Sequence, residues 1–100
     1  MGTLSSLIGK LVYLKVLWLS SNKFHGVLPT ELGLLTNLRS VDLSFNMFTG
    51  SVPTQLAIIS GLNTLRLSAN KLTGKIPSAL EQIMKPTTLH LHDNWSIDWD

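Results

Sequence analysis

"LRLSANKLTG", Leu65 to Gly74, decides the fold of this chain because it recurs. Twenty-four residues earlier the chain reads "VDLSFNMFTG" (Val41 to Gly50), and another twenty-four earlier "LWLSSNKFHG" (Leu17 to Gly26). Twenty-four residues later it reads "LHLHDNWSID" (Leu89 to Asp98), where the pattern decays. A fixed period of roughly 20–50 residues is the signature of stacked supersecondary units. Three whole units follow, at 11–34, 35–58 and 59–82. A partial unit precedes them at 1–10, a second partial unit fills 83–94, and 95–100 form a degenerate tail.

Aligned on that period, each column carries one kind of residue. The first holds Leu11, Leu35, Ile59 and Ile83; the fourth holds Leu14, Leu38, Leu62 and Pro86. The seventh holds Leu17, Val41, Leu65 and Leu89, and the ninth Leu19, Leu43, Leu67 and Leu91. Apolar residues two apart face the same side of a short strand. One unit has too few of them to bury a core alone, so units must stack into a parallel ladder with a continuous Leu face. The twelfth column is Asn22, Asn46, Asn70 and Asn94. A primary amide both donates and accepts, so this column is expected to satisfy backbone groups where the chain turns inward. Column sixteen is Gly26, Gly50 and Gly74, which suits a tight bend. Pro29, Pro53 and Pro77 at column nineteen are expected to start short helical or 3₁₀ return legs ending at Leu32, Leu56 and Leu80.

The unit "LTNLRSVDLSFNMFTGSVPTQLAI" resembles the leucine-rich repeat, whose strand signature is L-x-x-L-x-L-x-x-N-x-L. The "LTGKIP" segment (Leu72 to Pro77) and the period resemble its plant-type subclass, found in ectodomains of receptor-like kinases and receptor-like proteins and in polygalacturonase inhibitors. The resemblance covers roughly residues 2–94. It implies an α/β repeat solenoid, a right-handed arc of about four coils with a short parallel β-sheet on the concave face. It also implies a second short strand at L-x-G-x-I-P, and an extracellular or cell-surface location for the parent protein.

Composition narrows the function classes. The chain is 44% hydrophobic and only 14% charged, with a formal net charge of +2. Its eight Lys and Arg are scattered singly, so no basic patch points to nucleic acid. No cysteine is present, which excludes disulfides, thiolate metal sites and a Cys nucleophile. The apolar stretch Leu11–Leu19 is about half the ~20 residues of a membrane span, and "MGTLSSLIGK" lacks the parts of a signal peptide. No Gly-x-Ser-x-Gly elbow, phosphate loop or dinucleotide fingerprint occurs, so no catalytic residue and no cofactor is expected. His90, His92 and Asp93 are the one group worth testing as a metal site, but only two nitrogens are placed with any firmness, and no metal is expected there. His25 reads as a solvent-facing turn residue. "NWS" (Asn94 to Ser96) fits the glycosylation pattern, yet Asn94 lies in the inward column, so its amide should be engaged.

Function in such a fold falls to the variable positions of the strand. One line across the face is Trp18, Asp42, Arg66 and His90, and Phe45 flanks it. Aromatic and Arg side chains are the types that anchor protein contacts, and His90 can add pH dependence. The expected partner is a protein or peptide ligand, with carbohydrate as a further class. The competing reading of Asp42 and Arg66 is a simple cross-strand pair. The Ser20, Ser44 and Ser68 column reads as structural. Competing functions are a structural spacer or truncated fragment of a longer array, and an intracellular protein–protein adaptor.

The ends are irregular. "GTLSSLIGKL" (Gly2 to Leu11) aligns with "GVLPTELGLL" (Gly26 to Leu35), so the chain opens inside a unit. After Asn94 the expected apolar residue falls on Ser96 and the expected Gly on Asp98. A fragment is the simpler reading. The alternative is a small complete protein whose "WSIDWD" end, alternating Trp95, Ile97 and Trp99 with polar residues, covers the last coil. Uncapped end coils are expected to make the isolated chain marginally stable.

Overall fold

The computed structural model describes residues 2–80 and 88–99. Eight strands follow in chain order: β1 (Val16–Trp18), β2 (His25–Val27), β3 (Ser40–Asp42), β4 (Met47–Thr49), β5 (Thr64–Arg66), β6 (Thr73–Ile76), β7 (Thr88–His90) and β8 (Ser96–Trp99). The odd-numbered strands form one parallel sheet in the order β1-β3-β5-β7. Leu17, Val41, Leu65 and Leu89 stand in register across it, a strict 24-residue offset. The even-numbered strands pair as β2-β4 and β6-β8, also parallel. They are the second strand implied by the L-x-G-x-I-P segment.

Return legs close each coil. Single 3₁₀ helices span Ser6–Lys10, Thr30–Leu34 and Thr54–Ile58. Pro29 and Pro53 stand immediately before the second and third in extended backbone. Ser5 replaces Pro before the first and caps it, its Oγ accepting from Leu7 N at 3.1 Å. These helices run two residues past Leu32 and Leu56 instead of ending there. The reason is local: the Leu35 and Ile59 amides donate back to the Leu32 and Leu56 carbonyls, which carries the turn on through residues 33–34 and 57–58. Ile83, Pro86 and the part of the fourth return leg beyond Leu80 lie outside the described residues.

The core is the stack of like columns. Leu35, Leu38, Phe48, Ile59, Leu65, Leu67, Leu72 and Leu80 are fully buried. Phe24 and Phe48, one coil apart, lie stacked with centroids 6.1 Å apart. Gly26, Gly50 and Gly74 all take positive φ, between 75° and 86°. A Cβ on Gly50 would come within 3.0 Å of the Val27 side chain, so this position needs both the backbone freedom and the space of glycine.

Within the tail, Ser96–Trp99 form β8, which continues the stack of second strands. Gly26 pairs with Phe48 at an offset of 22 residues, but Gly74 pairs with Ile97 at an offset of 23. The extra residue is taken up around Trp95, whose amide still donates to Leu72 O at 3.1 Å. The slip moves Ser96 out of the apolar position and puts Ile97 there, packed against the core. A one-residue shift exchanges the two faces of a strand, so an irregular sequence keeps a regular core. His25, expected in a turn, is instead the exposed first residue of β2.

Candidate functional site

The Asn column builds the frame beneath the exposed face. Asn46 Nδ2 donates to Leu19 O, Leu43 O and Ser44 O at 3.0–3.1 Å. Its Oδ1 accepts from the amides of Asn22 and Phe24, both at 3.0 Å. Asn70 repeats the donor set on Leu43 O, Leu67 O and Ser68 O, and accepts from Phe48 N at 3.1 Å. Asn94 donates to Leu67 O, Leu91 O and His92 O and accepts from Leu72 N. Each amide thus ties its own turn to the preceding coil, and Asn94 is engaged as its column demanded. The side-chain amide of Asn22, in the first coil, bonds only within its own turn, and the residue is exposed. Among the described residues, no buried side-chain polar atom lacks a partner.

On that frame the four-stranded sheet presents an open face. Trp18, Asp42, Arg66 and His90 are register partners on adjacent strands. Between them and the next column the strands bury Leu17, Val41 and Leu65 on the other side. Trp18 is 63% exposed, and its indole Nε1 donates to Ser40 Oγ at 2.8 Å, which orients the ring across β3. Sequence reasoning missed Ser40 as that partner; its small hydroxyl beside a large indole was the available signal. Asp42 Oδ1 accepts from the Ser44 amide at 3.1 Å. Among the described residues no ion pair joins Asp42 to Arg66, so the cross-strand pair is not formed.

Phe45 is 65% exposed and stands outside the strand proper, with φ of 58°. Ser21, Ala69 and Asp93, its equivalents, share that left-handed conformation. The column before Asn is therefore a turn position, where a bulky residue is costly. Ser44 and Ser68 are buried at 6% and 4% exposure, as a structural column requires. Ser68 Oγ lies 3.1 Å from His92 Nδ1. Among the described residues, no three His, Cys, Asp or Glu side chains are grouped to hold a metal ion. No helix among them is long and apolar enough to cross a membrane.

The profile of the leucine-rich repeat family matches residues 13–35, 37–57 and 61–83, more than half of the chain. This chain belongs to the leucine-rich repeat family. A search of curated protein sequences finds no match. Among solved structures, the repeat ectodomain of the plant membrane receptor kinase GASSHO1/SCHENGEN3 from Arabidopsis thaliana superposes with a TM-score of 0.90 at 36% identity, covering 95% of this chain and 11% of that one. It was solved in complex with CASPARIAN STRIP INTEGRITY FACTOR 2. The Arabidopsis receptor kinase HAESA, in complex with the peptide hormone IDA and the co-receptor SERK1, superposes with a TM-score of 0.86 at 32% identity, covering 95% and 16%. A plant ice-binding protein gives 0.86 at 35% identity, covering 95% and 31%. This leucine-rich repeat chain thus has the fold of plant receptor ectodomains and spans less than a third of the length of each of these relatives. The ice-binding neighbour places a different function on the same scaffold, so function must be argued from the exposed face.

Proposed function

We propose that this chain is a non-enzymatic recognition module, part of a secreted or cell-surface leucine-rich repeat protein of the receptor-like type, and that it binds a protein or peptide ligand on the open face of its sheet. The observation that carries the reading is the registered line Trp18, Asp42, Arg66 and His90, none of whose side chains the core consumes. An aromatic ring and a guanidinium on one rigid sheet are the common anchors of protein contacts. Relatives of the same fold carry peptide hormone and co-receptor partners in their complexes, which supports this class of ligand over a purely structural role.

The test uses peptides selected from a random library against the folded chain. Trp18→Ala and Arg66→Ala are expected to weaken the selected binders by roughly 1–2 kcal/mol or more, about 5–30-fold, with the fold unchanged by circular dichroism. Lys75→Ala, on β6 away from that face, is expected to leave affinity nearly unaltered. Binders that respond to Lys75 and not to Trp18, Arg66 or Phe45 would place recognition on the wrong side of the solenoid. Glu81→Ala is expected to be neutral in the same assay, though Glu81 lies outside the described residues.

A further inference from the structure

The first strand is unlike its counterparts. Val16 and Trp18 rise on the open face of β1, where the next strands carry Ser40 and Asp42, then Thr64 and Arg66. Tyr13, just ahead of β1, stands where the next two units have Asn37 and Gly61. Val16, Trp18 and Tyr13 are all exposed. They lie outside the core columns, and the inner coils, which are covered on both sides, are polar at the same positions. A further stacked coil therefore does not account for them. β1 is also the end strand of its sheet. We propose that β1 pairs antiparallel with β1 of a second copy of this chain, about a two-fold axis at Leu17, so that two sheets become one and the two first-coil ends pack together.

The backbone of β1 is self-complementary. Leu19 N donates to Asp42 O at 2.8 Å, and Lys15 O accepts from Ser40 N at 3.2 Å, so Lys15 and Leu19 face β3. Backbone groups alternate sides along a strand. The N–H and C=O of both Val16 and Trp18 therefore point off the sheet edge. With the axis at Leu17, Val16 stands opposite the partner's Trp18, and each such pair exchanges both of its backbone hydrogen bonds. On the open face each indole then lies beside a β-branched side chain, a favourable cross-strand pair. On the inner side Leu17 meets its symmetry mate, and Leu14 comes beside the partner's Leu19. Leu14 and Leu19 are only partly buried in the single chain. Val16–Trp18 holds no charge, Pro or bulge to blunt the edge. Lys15 flanks it, and the two copies of Lys15 fall about 13 Å apart along the strands, so like charges do not meet. The opposite edge fits less well: β7 carries Thr88 and His90 at the positions of Val16 and Trp18, and the same alternation turns only the Leu89 backbone of β7 outward.

Size sets the strength. The chain measures 28 × 28 × 18 Å. Its smallest cross-section is on the order of 500 Å², so two apposed ends bury on the order of 1,000 Å², the lower limit of a specific interface. The dimer is accordingly weak and reversible. The pairing leaves the open face uncovered and does not rest on the ligand reading above.

Analytical ultracentrifugation of the 100-residue chain, from about 10 µM to about 1 mM, should show a monomer–dimer equilibrium with a Kd of roughly 10–300 µM, as an interface of minimal size implies. Val16→Lys, the charge that natural sheet edges use against pairing, should weaken the dimer at least tenfold with an unchanged circular dichroism spectrum. Val16→Thr, the residue of β5 at that position, should weaken it by less. Two readouts use the unmodified chain and do not depend on how the variants fold. Amide exchange should slow with rising concentration at Val16 and Trp18 and not at Leu89. In a mixture of isotope-labelled and unlabelled chains, isotope-filtered NOEs should connect the Val16 methyls to the Trp18 indole. A chain that stays monomeric at about 1 mM, assembly beyond the dimer, a dimer indifferent to Val16→Lys, or protection of Leu89 together with Val16 would overturn the proposal.

Discussion

The first coil and the second have nearly the same pattern and bury it very differently. Leu11 is 52% exposed, whereas Leu35, its equivalent one unit later, is fully buried. Leu14 and Phe24 are partly buried, and Leu38 and Phe48 are sealed. Asn22 is exposed and its side-chain amide bonds within its own turn; Asn46 is 7% exposed and reaches back to Leu19 O. The difference teaches that burial here belongs to the interface between coils and not to the coil. Each unit contributes one half of a core, and an inner unit is stabilised from both sides, as a nearest-neighbour stack requires.

The largest effect should come from truncating the same aromatic column in the two coils. Phe48→Ala is expected to cost about 3–5 kcal/mol, the range for a fully buried ring. Phe24→Ala should cost less than half of that, since part of its surface is already wet. Urea unfolding of the two variants checks this, and equal losses would break the nearest-neighbour account.

The Asn column should show the next effect. Asn70→Ala leaves the Phe48 amide and three carbonyls without their partner. A loss of about 1–3 kcal/mol is expected from such unpaired groups. Asn22→Ala should cost less, because its amide does not reach another coil. Asn63, exposed and with its side-chain oxygen accepting only from Thr64 Oγ1, should be within about 0.5 kcal/mol of neutral. Asn37 is a poorer control, since its Nδ2 donates to Val12 O at 3.1 Å. A ranking with Asn63 above Asn70 would sink the column assignment.

The smallest effect sharpens the comparison at the other end of the stack. Ile97→Ser should cost about 1–2 kcal/mol by withdrawing a half-buried side chain from the core. Deleting Trp95 should cost less, within about 1 kcal/mol, despite removing a larger residue. The deletion removes the extra residue and returns Ile97 to the 22-residue offset opposite Gly74. Thermal melts of the two variants in parallel decide the order. A deletion more damaging than Ile97→Ser would mean that the exposed Trp95, with Lys71 Nζ 5.5 Å over its ring, holds β8 and not the register.

What the sequence by itself determined is whatever repeats. The period, the L-x-L strands, the inward Asn amides, the bending Gly and the leg-starting Pro each recur at a fixed position, and a stack forces equal positions into equal environments. The registered line Trp18, Asp42, Arg66 and His90 was legible for the same reason: 24 residues is one coil. Only the tertiary structure decided what depends on non-equivalent neighbours. It decided that the first coil stays half open, that Ser40 orients Trp18, and that Asp42 turns to the Ser44 amide instead of Arg66. It placed Phe45 in a left-handed turn, because backbone dihedrals carry no periodic side-chain signal. It also slipped β8 by one residue to recover Ile97, since the apolar gain at an inward position outweighs the regularity of a ladder at its end.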